Sequence, residues 1–247
     1  MQKLKQLYRA NYAGENIITH LTLKNNEWET ATEFVPNQVT NTHTTTQAVA
    51  IANGESRLEF DLTHIKNHKG GILGVDKLQS YGCNALYRDF TPDFLVATGD
   101  DITREIANSG YSSSNIVYAN AATLLAYPGQ FYLVPQNVQF DAGALAVYLA
   151  CFDGHTTIYM LGYDNYDDEV GPLNNVYKDT AGYPKSTDED NGEFFALSLT
   201  DVMKTYNDVD FVRVMPTKDS WMPDRFRPLP NLRQINYRDF VLEADVG

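Results

Sequence analysis

The feature that most constrains the fold is a short apolar run that ends abruptly in a polar turn. Val49 to Ala52 are all apolar and are followed at once by Asn53, Gly54 and, after one residue, Ser56. Such a run fits a strand buried on both faces of a parallel sheet. Gly allows close backbone approach, and Asn and Ser bring short hydrogen-bonding side chains to the carboxyl end of the strand, where open α/β sheets bind ligands. The sequence therefore predicts a ligand-binding turn here.

One alternative structure and two absent motifs bear on the same turn. Asn-Gly is also the commonest dipeptide in β-hairpins, so a turn between antiparallel strands remains an alternative for this stretch. The G-x-G-x-x-G dinucleotide fingerprint and the G-x-x-x-x-G-K-[ST] phosphate loop are both absent from the sequence. The turn therefore fits a nucleotide or nucleotide-sugar, without the signature of an NAD enzyme or a P-loop ATPase.

Helix-type and strand-type segments alternate along residues 48–215. Residues 141–152 have the pattern of an apolar helix and residues 156–162 that of a buried strand, and residues 193–206 and 209–215 repeat this order. The alternation is typical of a mainly parallel sheet with right-handed crossovers. We expect a Rossmann-like α/β domain, with a mainly parallel sheet flanked by helices, over this range.

The two ends of the chain differ from this pattern. Residues 1–47 contain two β-rich segments, 15–23 and 28–35, which predict an N-terminal β-hairpin followed by a polar linker. Residues 216–247 contain several prolines and predict a C-terminal arm that packs across its own domain or a neighbouring subunit. A homo-oligomer formed through this arm is therefore one prediction.

Composition limits the classes of function. The chain has 247 residues, of which 43% are hydrophobic, enough for one large α/β domain with small additions. The formal net charge of −13 argues against binding to long nucleic acid, although a small nucleotide needs only a few donors. No apolar run is long enough for a membrane span, and the N-terminus lacks the apolar region of a signal peptide, which predicts a soluble cytoplasmic protein. Cys83 and Cys151 are expected to be free buried thiols.

Two further strand exits carry polar side chains. Asn84 follows the predicted strand 78–83, and Asp164 and Tyr166 follow the strand 156–162. Asn53 and Asn84, at the ends of neighbouring strands, would bind one ligand from two sides. Asp164 and Tyr166 would contact a sugar or base, or the carboxylates of this exit would hold a divalent cation. Residues 170–191 are polar and predict either a disordered surface loop or a lid.

Four segments together resemble a known enzyme family. Residues 52–56, 83–84, 141–143 and 158–166 are similar, in order and rough spacing, to the G-N-G-P-S, C-N, S-G and I-Y-L-x-G-x-D-x-Y elements of small bacterial sialyltransferases. Related phage and bacterial proteins, some of them similar to a pterin diphosphokinase, share the opening. The resemblance covers roughly residues 48–215 and implies a Rossmann-type glycosyltransferase of the sialyltransferase-like superfamily.

The resemblance also implies roles for individual residues. Asn53 and Asn84 would contact the phosphate and ribose of a cytidine nucleotide, and Gly143 would let the backbone approach the ligand. Asp164 with Tyr166 would hold the nucleotide or donor sugar. No tightly bound cofactor is expected, and a nucleotide-sugar of the CMP type is the favoured substrate. The full predicted nucleotide-binding set is Asn53, Gly54, Ser56, Asn84, Gly143, Asp164 and Tyr166.

The sequence departs from the family pattern at several positions. Ala52 replaces the first Gly, Glu55 replaces Pro, and Ala142 replaces a small hydroxyl residue, so that one ligand hydrogen bond is missing. The family uses a His as general base, and residues 177–195 contain no His. A hydroxyl nucleophile must lose its proton during transfer, so another base is required.

Few residues can replace the missing His. Asp188, Glu189 or Asp190 would serve as the base only if ordered over the site, and Asp188 and Asp190 are the candidates we carry forward. His155 is predicted at the opposite, N-terminal end of its strand. Sialyl transfer itself is therefore disfavoured.

Three functions follow from these observations. The first is a nucleotide-sugar-dependent glycosyltransferase. The second is a diphosphokinase-type transferase that uses ATP and Mg²⁺ held at Asp164 and its acidic neighbours. The third is a noncatalytic assembly protein on the same fold, which the missing His and the two terminal additions would explain.

Overall fold

The computed structural model describes most of the chain and shows two sheets. The smaller sheet is antiparallel and has the strand order β1-β2-β3. Its strands are β1 (Gln2–Tyr8), β2 (Glu15–Lys24) and β3 (Glu27–Pro36). The described residues are 2–8, 15–36, 46–68, 78–164, 174–184 and 190–247.

The predicted N-terminal hairpin is confirmed, and β1 adds a third strand to it. Asn25 and Asn26 form the two-residue turn with φ angles of 49° and 64°, which Asn tolerates better than most residues. Leu21 of β2 is buried against Leu133 of the main domain. The small sheet is therefore attached by an apolar contact as well as by the chain.

The main sheet has eight strands, all parallel to their neighbours. Their order is β11-β10-β9-β4-β5-β6-β7-β8. The chain thus builds the sheet outward from β4 in one direction and then outward from β9 in the other. The strands are β4 (Gln47–Ile51), β5 (Gln79–Cys83), β6 (Phe94–Val96), β7 (Val117–Ala119), β8 (Tyr132–Leu133), β9 (Thr157–Leu161), β10 (Asp210–Met215) and β11 (Leu232–Asn236).

Helices cover both faces of this sheet. Two of them, α4 and α5, pack on one face, while α2 and α6 pack on the other. The predicted Rossmann-like fold is confirmed by this arrangement. Among the described residues, no helix is both long and apolar enough to cross a membrane. The helices are α1 (Thr63–His68), α2 (Asp100–Ser109), α3 (Ala121–Ala126), α4 (Ala142–Phe152), α5 (Asp190–Thr205) and α6 (Tyr237–Glu243).

The central strand β4 shows how the sequence sets these two layers. Ala48 and Ala50 belong to the core under α4 and α5, whereas Val49 and Ile51 belong to the core on the opposite face. Successive side chains of a strand point to opposite faces, so small residues face one helix layer and β-branched residues the other. Helix α4 is buried on nearly its whole circumference, because it lies between the sheet and α5.

The C-terminal arm packs on its own domain. Strand β11 pairs in parallel with β10 from Phe211 opposite Leu232 to Met215 opposite Asn236. Phe240 of α6 is fully buried against the sheet. Residues 216–247 therefore supply the edge strand of the main sheet and a covering helix, and an oligomer formed through them stays a prediction.

Candidate functional site

The candidate site lies where the strand order reverses. Strands β4 and β9 are neighbours, yet the chain leaves them toward opposite sides of the sheet. In open α/β sheets such a switch point leaves a crevice at the carboxyl ends of the strands, and ligands bind there. The polar turn of Asn53 and Gly54 after β4 and the exit of Gly162 to Asp164 after β9 both lie at this point.

A cavity of about 310 Å³ occupies the crevice. Five of the predicted site residues line it, and they come from four different strand or helix ends. Ser56 is not among the lining residues but contacts one of them. The predicted residues that line the cavity are Asn53, Gly54, Asn84, Gly143 and Asp164.

The turn after β4 and the exit of β9 run in close contact. The N–H of Ala52 donates to the carbonyl of Leu161, and the N–H of Gly54 donates to the carbonyl of Gly162, both at 2.9 Å. A Cβ atom on Gly54 would lie 2.4 Å from the Gly162 carbonyl oxygen and 2.6 Å from Asp164 Cγ. Gly at position 54 is therefore required by the approach of two backbones, as the sequence predicts.

The carboxylate of Asp164 is already occupied within the protein. The Ser56 N–H donates to Asp164 Oδ2 at 2.8 Å, and the Ser56 hydroxyl donates to Oδ1. Asp164 is 8% exposed and lies in the cavity wall. Its contact with a nucleotide stays a prediction, and the structure shows that Asp164 and Ser56 fasten the two strand exits together.

A buried arginine that the sequence analysis did not select binds the exit of β9. Arg213 of β10 is fully buried and donates to the carbonyl oxygens of Tyr163 at 2.8 Å and of Asp164 at 2.6 Å. It also donates to the Trp221 carbonyl and to Gln234 Oε1. Burial lowers the pKa of Arg213 to about 10, so the guanidinium remains charged at neutral pH. The sequence signal that could have identified Arg213 is a single charged residue in the interior of an apolar strand.

The two Asn residues flank the cavity as predicted, but with different bonding. Asn53 is 7% exposed, and its Nδ2 lies 3.4 Å from both the Cys83 carbonyl and the Tyr183 hydroxyl. Its Oδ1 is buried and has no hydrogen-bond partner among the residues that the structure describes. Asn84 adopts a left-handed backbone with φ of 48°, and its Oδ1 accepts from the Thr98 N–H at 2.9 Å.

Residues 174–184 form another wall of the cavity. The Val176 N–H donates to the Asn53 carbonyl at 2.8 Å, and the Glu55 N–H donates to Asn174 Oδ1 at 2.7 Å. Arg88 ties the far end of the segment through the Ala181 carbonyl at 2.9 Å. Residues 174–184 are therefore hydrogen-bonded to the rest of the domain near both ends of the segment.

The cavity contains a set of amide donors with fixed orientation. Asn84, Asn174 and Asn175 each have Oδ1 bonded to a backbone N–H, of Thr98, Glu55 and Tyr177 respectively. The amide nitrogens of these three residues then remain as donors on the cavity wall.

Asp141 is a site residue that the sequence analysis used only as the start of a helix. It is the N-cap of α4, and its Oδ1 accepts from the N–H groups of Gly143 at 2.9 Å and Ala144 at 3.1 Å. Its Oδ2 is buried without a hydrogen-bond partner in the described part of the chain, and the residue lines the cavity. Burial raises the pKa of Asp141 to about 6. An Asp directly before a small-residue helix was the signal that could have identified it.

The wall combines amide and carboxyl side chains with apolar ones such as Phe195 and Leu199. Among the described residues that line the cavity there is no Lys, Arg or His. In the part of the chain that the structure describes, no group of three or more His, Cys, Asp or Glu side chains is placed to hold a metal ion. The arrangement therefore offers hydrogen bonds to a polar ligand.

The remaining predicted residues are placed as follows. Tyr166 and Asp188 lie outside the described residues, and Asp190 begins α5. His155 lies before the first residue of β9, at the opposite edge of the sheet, as predicted. Cys83 and Cys151 are free and buried, also as predicted, and burial raises the pKa of the Cys83 thiol to about 12.

The chain matches no protein-family model, no curated protein and no solved structure at a significant level. The similarity to bacterial sialyltransferases therefore rests on the four short segments alone and stays a prediction.

Proposed function

We propose that the protein is a nucleotide-sugar-dependent glycosyltransferase whose donor binds in the switch-point cavity, with a CMP-type donor favoured. The observation that carries the proposal is the cavity itself, which lies at the switch point of the parallel sheet, where open α/β sheets bind ligands. Its polar lining includes four amide side chains and two carboxyl side chains: Asn53, Asn84, Asn174, Asn175, Asp141 and Asp164.

The amide and carboxyl groups of the lining indicate what the ligand can supply. Their oxygen atoms are acceptors, so the matching ligand groups are O–H or N–H donors. Sugar hydroxyls, ribose hydroxyls and the amino group of cytosine are donors of this kind. A nucleotide-sugar carries several of them in one small molecule.

The opposite wall supports the second half of such a ligand. The amide nitrogens of Asn84, Asn174 and Asn175 are donors and match the oxygen atoms of a phosphate or of a pyrimidine carbonyl. The cavity thus combines donors and acceptors, as a nucleotide-sugar does. Its volume of about 310 Å³ lies at the lower end of the range for small-molecule sites.

Transfer to an acceptor hydroxyl also requires a base. Asp188 and Asp190, at or before the start of α5, remain the predicted candidates. The balance of the reaction is simple. The acceptor oxygen bonds to the anomeric carbon, the bond to the phosphate oxygen breaks with its electron pair, and the acceptor proton goes to the base.

The first test is ligand binding followed by turnover. We expect CMP and CMP-sugars at millimolar concentration to raise the melting temperature of the wild type and to leave Asn53→Ala unchanged. Asn115→Ala is the matched control, because Asn115 bonds to the Tyr111 carbonyl outside the cavity and should keep the response. Nucleotide release from the CMP-sugar in the presence of acceptor sugars then measures transfer.

Two results would count against the proposal. No stabilisation by any nucleotide or nucleotide-sugar would remove it. Binding without nucleotide release from CMP-, UDP- or GDP-sugars would leave a ligand-binding protein and reject glycosyl transfer.

A further inference from the structure

Residues 174–184 bring three side chains to the cavity, those of Asn174, Asn175 and Tyr183. The segment contains neither a helix nor a strand, apart from an isolated bridge between Thr180 and Tyr183. Its position therefore depends on contacts with the neighbouring strand exits, and not on regular secondary structure of its own.

Tyr177 joins this segment to two strand exits at once. It is 7% exposed, and its hydroxyl accepts from Arg57 Nη2 at 2.7 Å and donates to Asp89 Oδ1. Arg57 lies in the short helical turn Glu55–Glu59 after β4, and Asp89 directly follows the turn Asn84–Arg88 after β5. Burial and the Asp89 carboxylate raise the pKa of Tyr177, so the phenol stays protonated and can donate and accept together.

Two guanidinium groups also lie against the Tyr177 ring. The Cζ atoms of Arg57 and Arg88 are 5.4 Å and 5.5 Å from the ring centroid, within the range of cation–π attraction. Arg57 is 2% exposed, and its ion pair with Asp89 is long, at 3.4 Å. The Tyr177 hydroxyl is the closer partner, so its loss would leave a buried charge less well satisfied.

We propose that Tyr177 is a positioning residue for the cavity wall. Its hydroxyl, bound between Arg57 and Asp89, fixes residues 174–184 and with them the amide of Asn175. Asn175 is partly exposed, and its Oδ1 accepts from the Tyr177 N–H at 2.9 Å, which leaves the amide nitrogen as a donor on the wall. The inference rests on the proposed function, in which this amide contacts the nucleotide.

Hydrogen exchange of the backbone N–H groups measures the order of the segment without any ligand. Tyr177→Phe removes the hydroxyl and keeps the ring and its contacts with the two guanidinium groups. Other hydrogen bonds remain near both ends of the segment, so we expect it to loosen without being released. Exchange within residues 174–184 should rise about tenfold, while exchange in β4 and β9 stays unchanged.

A second variant tests the same contact from the other side. Asp89→Ala removes one of the two partners of the Tyr177 hydroxyl, at a side chain that is 44% exposed and whose loss the fold should tolerate. We expect exchange within residues 174–184 to rise about threefold.

Tyr148→Phe is the matched control. The Tyr148 hydroxyl is also buried and lies 3.2 Å from both the Pro135 carbonyl and Gln136 Oε1, and Tyr148 does not line the cavity. This variant loses a hydroxyl with two contacts, as Tyr177→Phe does, but at a distance from residues 174–184. It should leave both their exchange and ligand binding unchanged.

The ligand measurement is the dissociation constant of CMP by titration calorimetry. A less ordered wall must be fixed when the ligand binds, so we expect CMP to bind Tyr177→Phe about fivefold more weakly than the wild type. Urea unfolding of Tyr177→Phe and Tyr148→Phe then separates positioning from stability. If Tyr177 served stability alone, the two variants would change CMP binding alike.

The outcomes separate this inference from the function on which it rests. Exchange that rises less than about twofold in both Tyr177→Phe and Asp89→Ala would reject the role of Tyr177. Raised exchange with CMP affinity unchanged would also reject it, because the order of the segment would then not matter to the site. Absence of CMP binding to the wild type, with exchange still raised in Tyr177→Phe, would reject the proposed function and not the fixing of residues 174–184 by Tyr177.

Discussion

The two edges of the parallel sheet both bury polar side chains but treat them differently. At the amino edge, the Tyr81 hydroxyl donates to Asp153 Oδ2 at 2.6 Å, and His155 Nε2 lies 2.7 Å from Gln79 Oε1. All four side chains are at most 1% exposed. At the carboxyl edge, Asn53 Oδ1 and Asp141 Oδ2 are buried and have no hydrogen-bond partner within the described ranges.

This difference separates a structural network from the proposed binding site. Buried polar groups that bond to each other within the protein stabilise one arrangement of the core. Buried acceptors that the protein leaves open are costly without a ligand, and proteins tolerate such violations mainly at functional sites. We therefore expect substitutions at the amino edge to lower stability, and substitutions at the carboxyl edge to lower binding.

The largest effect on stability is expected at the amino edge. Asp153→Ala would leave the Tyr81 hydroxyl and its neighbours buried with a missing partner, and should lower the free energy of unfolding by about 3 kcal/mol. Asn53→Ala should lower it by less than about 1 kcal/mol, because Oδ1 has no partner among the described residues and Nδ2 makes only two long contacts, both at 3.4 Å. Urea unfolding of both variants measures the difference. Equal losses would show that the two edges do not differ in this way.

The second comparison uses two glycines within the carboxyl edge. Gly54→Ala would place Cβ 2.4 Å from the backbone oxygen of Gly162, and should cost about 2 kcal/mol of stability because two backbones must separate. Gly143→Ala would place Cβ 3.1 Å from Asp141 Oδ1, a contact that a small shift relieves.

The helix position of Gly143 sharpens this comparison. Ala favours a helix over Gly by about 1 kcal/mol, so Gly143→Ala should unfold at nearly the wild-type urea concentration. Its added methyl group would line the cavity and should weaken CMP binding, measured by titration calorimetry. A Gly54→Ala protein as stable as the wild type would contradict the close approach of the two strand exits.

Much of the fold could be predicted because its signals are local. The buried strand before Asn53 and the apolar helix before β9 were each predicted correctly from a few adjacent residues. The last strand was not separated from the arm, because β11 (Leu232–Asn236) alternates weakly and lies at the sheet edge. Strand β1 was also missed, since its pairing with β2 depends on contacts that a propensity pattern does not contain.

The site residues likewise divide into those that local sequence signals predict and those that they do not. Asn53, Gly54 and Asn84 were predicted because they follow strands directly, and strand ends meet at one edge of a parallel sheet. Asp141 and Arg213 were not predicted as site residues. Their importance depends on burial and on partners far along the chain, such as the Tyr163 carbonyl that Arg213 reaches across 50 positions.

The effect on stability with a distinctive pH dependence is expected at Asp141. Its pKa is raised from 3.8 to about 6, so between these values the folded state binds more protons than the unfolded state. Stability of the wild type therefore falls as pH rises through this window, and the loss stays constant above it. Asp141→Asn lacks this loss and should be more stable by roughly 2 kcal/mol at pH 8, but nearly equal to the wild type at pH 4.

Urea unfolding of the two proteins at several pH values isolates this carboxyl, because the other groups titrate alike in both. Burial raises the pKa values of the neighbouring Cys83 thiol and Tyr163 phenol, so both groups stay neutral throughout this range. The other neighbouring carboxyl group, that of Asp164, is bonded to Ser56. A difference in stability that does not change with pH would contradict a raised pKa at Asp141. A difference that grows between pH 4 and pH 6 would show that the protein keeps a destabilising carboxylate at the cavity.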